Sequence, residues 1–160
     1  MPPETWLPLF EWLENTSVGT AVRNSLWVFP VIEGIHLIGL GLLGGAVLVV
    51  DLRLLGVGLK RQAPAELVRH TQSWLIGAIV LLAVTGITLF LSEAVKCYYN
   101  TSFWVKITTL PIAIIFTFTV RKWLLQRLIV DTSWQTRLLG VLSLALWFTV
   151  AAGGRWIGYS

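Results

Sequence analysis

Apolar residues in this chain fall into four long blocks, at approximately 26–50, 74–91, 103–120 and 138–158, separated by short polar stretches. A helical bilayer span takes about 20 such residues. The pattern therefore predicts an all-α integral membrane four-helix bundle, with residues 1–160 forming a single transmembrane domain and no internal repeat. Ahead of the first block, Trp6, Leu7, Leu9, Phe10, Trp12 and Leu13 predict a short N-terminal amphipathic helix lying in the membrane interface. That stretch carries Glu4, Glu11 and Glu14 before Arg23 and does not read as a signal peptide. Pro111 predicts a kink in the third span, which is expected to run on as a helix past the membrane.

Composition supports the pattern. Hydrophobic residues make up 56% of the chain and charged residues only 12%, outside the range of soluble globular domains. In a soluble protein a net charge of +4 would suggest nucleic acid; here the charge follows topology, and no nucleic-acid partner is expected. Of twelve Lys and Arg residues, Arg23, Lys96, Lys106 and Arg155 fall on the side holding both termini, and the other eight follow spans one and three. Positively charged loops stay in the cytoplasm, which puts both termini outside. Most Trp and Tyr residues fall near the predicted membrane boundaries, whereas Trp147 lies at mid-depth and reads as helix packing. A single Cys97 excludes an internal disulfide.

The candidate chemistry lies within the first block. Glu33 and His36, three residues apart, project from roughly the same helix face at a depth where an ionisable side chain costs several kcal/mol without a partner. On the returning spans, Lys106, Arg155 and Glu93 also fall in the outward half, while the inward half is nearly uncharged. A polar site opening outward is expected, with His36, Glu33, Lys106 and Arg155 as its residues. Lys106, Arg155 and Glu93 would each also be explained by snorkelling, and Glu33 by an interhelical ion pair. Gly34, Gly39, Gly41, Gly44 and Gly45 crowd the same helix, and Gly77, Thr85 and Gly86 lie on the second. They serve either close helix packing or space for a planar cofactor. Asp51 and Arg53 read as topology and packing elements.

The segments WVFPVIEGIHLIGLGLLGG, DLRLLG, TGITLFLSEA with YYN, FWVK and GRWIGY together resemble a family of uncharacterised small four-helix bacterial membrane proteins. The resemblance implies a multi-pass protein of the bacterial cytoplasmic membrane. More loosely, the His-then-glycines pattern of the first span is similar to the copper-resistance D-type membrane domain and to small haem-associated four-helix proteins, which implies haem or metal handling.

Three functions compete. The first is a haem b protein of redox or electron-transfer role, with His36 as axial ligand and metal-binding residue, and Lys106 and Arg155 near the propionates. The other histidine, His70, lies about 20 Å away along the bundle and cannot share that iron. A second ligand would come from the N-terminal segment or another subunit. The second function is copper binding, against which stands the shortage of Cys, Met and His. The third is a cofactor-free accessory or assembly subunit, whose buried charges form a structural polar cluster. A homo-oligomer in the lipid bilayer and a redox partner of unidentified kind are expected beside the first.

Overall fold

The computed structural model describes residues 4–57, 64–121 and 134–158, and every regular element among them is helical. A 3₁₀ turn at Glu4–Trp6 leads into α1 (Leu7–Glu14) and α2 (Ser17–Arg23). The long helices are α3 (Val28–Leu54), α4 (Pro64–Ser92), α6 (Thr101–Ile115), continued by a π-helical segment at Phe116–Arg121, and α7 (Trp134–Ile157). Short α5 (Ala94–Tyr99) links α4 to α6. Four of these helical stretches are long and apolar enough to cross a membrane.

Local chemistry sets the ends. Ser25 Oγ accepts from the backbone N–H of Val28 at 3.2 Å where α3 begins. Pro30 is tolerated there because the N–H groups of a first turn have no helical acceptor. At the other end DLRLLG closes the helix. Gly56 takes a positive φ of 79°, its N–H reaches Arg53 O at 3.1 Å, and Val57 N–H reaches Leu52 O at 3.0 Å. This is the Schellman arrangement, open to glycine because it lacks a Cβ. Asn100 starts α6, its Oδ1 accepting from the N–H groups of Ser102 and Phe103 at 2.9 and 3.3 Å.

Helix α3 packs on α4 and on α7, and α7 packs on α6. The buried positions of α3 are Gly39, Leu43, Ala46, Val47, Val50, Asp51 and Leu54, a face repeating every three to four residues. Leu43, Val47, Leu75, Ala78, Ala113, Trp147 and Val150 form the central core. Trp147 does pack between helices: it is buried, and its Nε1–H donates to Thr117 Oγ1 at 3.0 Å in the π-helical segment. Pro111 sits inside α6 with helix on both sides.

One expectation changes. Helix α4 begins at Pro64, well before the apolar block at 74, because Leu67 is buried while Glu66, Arg69 and His70 are exposed: one face is already in the core. Asp51, in the last turn of α3, is 0% exposed, with its backbone carbonyl against Gly140 of α7. The predicted run of the third helix past the membrane lies outside the described residues.

Helices α1 and α2 close one end of the bundle. Phe10 is buried, with ring centroids 5.7 Å from Phe90, 5.3 Å from Tyr98 and 6.0 Å from Trp104; Phe90 and Phe103 stack at 5.4 Å. The Glu14 carboxylate joins three elements: Oε1 meets Arg23 at 2.7 Å, and Oε2 accepts the N–H of Val95 in the first turn of α5 at 2.7 Å. Gly19 allows the closest approach, because a Cβ there would run into the backbone carbonyl of Leu91.

Candidate functional site

Beneath this cap, His36 meets Thr85 across the α3–α4 contact. The approach rests on glycine at two levels: a Cβ on Gly39 would lie 3.1 Å from Leu82, and one on Gly86 would lie 3.2 Å from His36 Cε1. Small residues let these helices close enough for side chains to bond across them. His36 Nδ1 stands 2.7 Å from Thr85 Oγ1, and Thr85 Oγ1 stands 2.7 Å from Leu81 O. A hydroxyl has one proton, and here the Leu81 carbonyl receives it. Thr85 therefore accepts from His36 Nδ1–H, and in the neutral imidazole the lone pair then lies on Nε2.

Lys106 of α6 stands on the opposite wall of this end. Its stem lies over Gly153 of α7 and its ammonium over Gly154, where Cβ atoms would come within 3.3 Å of Lys106 Cβ and 3.4 Å of Nζ. The ammonium is close enough for its charge to act on Cys97. Cys97 is buried at the cap; burial first, and then Glu93, push its thiol up to about 11 against the pull of Lys106 and Lys96. It is a neutral thiol at physiological pH.

His36, Lys106 and Cys97 are thus gathered at the capped end, and Thr85 fixes the imidazole. Glu33, one turn nearer the cap on α3, is exposed and makes no ion pair among the described residues. The bridge to Lys106 or Arg155 considered from sequence is not formed. Arg155 lies exposed in the last turn of α7. His70 is exposed, 3.7 Å from Glu66, and precedes Thr85 on α4 by about 22 Å of helix, so it stays apart from His36. Among the described residues no group of three His, Cys, Asp or Glu side chains is placed to hold a metal ion. Sequence reasoning missed Gly153, Gly154 and the placement of Cys97; adjacent glycines in the last turns of an apolar helix were the available signal, since glycine is costly there without a packing reason.

No curated protein and no solved structure matches the chain. Residues 9–160 match DUF6644, a family of unknown function, and the four apolar helices fit a small membrane family. With all but the first few residues covered by that match, the chain belongs to DUF6644.

Proposed function

We propose that the capped half of the bundle binds haem b through His36 Nε2 and that the protein carries electrons in the membrane. The supporting observation is the orientation of His36. Its Nδ1–H is spent on Thr85, and Nε2 keeps its lone pair with no hydrogen-bond partner among the described residues. A histidine ligand held by a hydrogen bond from its other nitrogen is the usual arrangement at metal centres. The donor set favours haem over a bare ion. A porphyrin brings four nitrogens to the iron, so one imidazole suffices, whereas copper held by protein alone takes several donors.

In this reading Lys106 and Arg155 would place positive charge toward the propionates, and Glu33 lies one turn from the imidazole on α3. Haem, when bound, would supply one-electron redox chemistry; His36 would hold the iron through Nε2, and Thr85 would orient the imidazole. The bundle sits in the cytoplasmic membrane of a bacterium with both termini outside, as the charge distribution favours. Helix α1 rests in the interface, supported by Leu9 and Trp12, which are 54% and 66% exposed beside buried Phe10. The open glycine positions 34, 41 and 45 of α3, where a Cβ would meet nothing within 4 Å, support contact between copies.

A second reading rests on the same hydrogen bond. The His36–Thr85 contact, seated on Gly86, would also lock α3 to α4 in a cofactor-free accessory subunit. Absorption spectroscopy and iron analysis of the detergent-purified protein separate the two. A Soret band with about one iron per site supports haem; a colourless protein that stays colourless with added haemin leaves the accessory reading.

A further inference from the structure

Lys106 is accommodated in an unusual way for a lysine near the end of a span. Such a side chain ordinarily extends along the helix to the headgroups. Here it is half-buried and crosses α7, which presents Gly153 to its stem and Gly154 to its ammonium. Two successive glycines weaken a helix. Any larger side chain at 154 would take the space beside Nζ. The pair forms a trough that holds the stem and the charge of Lys106 against α7.

Among the described residues no anion is paired with that charge. Lys106 forms no ion pair or hydrogen bond among the described residues. Cys97 is not its counter-ion, because its thiol is neutral until about pH 11. Glu14 is committed to Arg23 and the Val95 N–H, and Glu93, although it acts on Cys97, is not paired with Lys106. An unanswered ammonium in a low-dielectric setting favours an oxyanion partner, which gains both charge and hydrogen bonds.

We infer that Lys106, held in the Gly153–Gly154 trough, is the receptor for a ligand oxyanion in the capped half of the bundle. Two sources offer this chemistry, a haem propionate and the phosphate of an anionic lipid. With a propionate the inference deepens the haem reading and rests on it; with a lipid phosphate it stands without iron.

The test uses the full chain in detergent and compares wild type with Lys106→Met, Lys106→Arg and Gly154→Leu. Haemin and its dimethyl ester, which lacks free carboxylates, are titrated in parallel. In native mass spectrometry, retention of phosphatidylglycerol is compared with that of phosphatidylcholine. Charge-assisted hydrogen bonds predict a preference of about tenfold or more for the anionic member of one pair. Lys106→Met and Gly154→Leu should erase that preference, and Lys106→Arg should keep it. A preference within the haemin pair identifies a propionate, and one within the lipid pair a phosphate. No preference in wild type, or the same preference in Lys106→Met, overturns the inference. His36→Ala keeps the two proposals distinguishable: it removes iron ligation, while a Lys106-dependent lipid preference should survive it.

Discussion

His36 Nδ1 and Thr85 Oγ1 stand 2.7 Å apart across the α3–α4 contact, and the Thr85 proton is directed to Leu81 O, also at 2.7 Å. That pair of distances fixes both which way the imidazole faces and which nitrogen is left for a ligand. Thr85→Val keeps the shape and removes the acceptor, leaving the Nδ1–H unsatisfied. It should cost about 1–2 kcal/mol of stability, measured by denaturant titration in mixed micelles, and Thr85→Ser should recover most of it. An unchanged midpoint in Thr85→Val would mean that the contact contributes nothing.

The glycines of the bundle divide into those that permit contact and those that face outward. A Cβ on Gly140 would lie 3.1 Å from both Asp51 O and Leu54 Cβ, whereas one on Gly44 would meet nothing within 4 Å. Gly140→Ala should destabilise by about 1–3 kcal/mol through forced separation of α3 and α7. Gly44→Ala should be neutral or stabilising by up to about 1 kcal/mol, because alanine is the better helix former. The same thermal or denaturant series checks both.

Glu14 ties the cap down, and Cys97, buried beside it, reports on the cap as the chain's single thiol. Glu14→Ala removes the acceptor of the Val95 N–H and the partner of Arg23, and maleimide labelling of Cys97 should accelerate about fivefold, as a loss near 1 kcal/mol implies. Arg23→Ala should do less, since that pair is partly exposed and weak in water. Equal, unchanged labelling in both variants would show that the carboxylate does not hold the cap.

The same thiol has a pH signature. Because burial and Glu93 raise it to about 11 from an ordinary 9.0, labelling of folded protein should stay slow through pH 9 and rise only toward pH 11. The linkage runs with that shift. Below pH 9 both states hold the proton and nothing is lost; between 9 and 11 the unfolded thiol ionises first, so stability falls, levelling off above 11. Cys97→Ser should flatten that part of the profile.

Much of the fold was legible as hydropathy. The four apolar blocks became the four long helices, and the final glycine of DLRLLG became the Gly56 terminator. The start of α4 was not, because Glu66, Arg69 and His70 lower the local hydropathy while Leu67 on the other face is in the core. Helix α1 was visible as apolar residues beside acids, but the seating of Phe10 among Phe90, Tyr98 and Trp104 depends on three other elements. At the site, ionisable residues in apolar helices marked His36 and Lys106. Their surroundings were not readable, because the roles of Thr85 and Gly154 are set by residues 49 and 48 positions away in the chain.

In the proposed function His36 Nε2 is the ligand of a haem. The most direct measurement of that ligation is the absorption spectrum of purified protein, as isolated and after haemin titration, for wild type and His36→Ala with folding confirmed by circular dichroism. Wild type should show a Soret band with one saturable site, lost in His36→Ala and partly restored by added imidazole. A wild type with no saturable haem site, or an identical spectrum in His36→Ala, would contradict it.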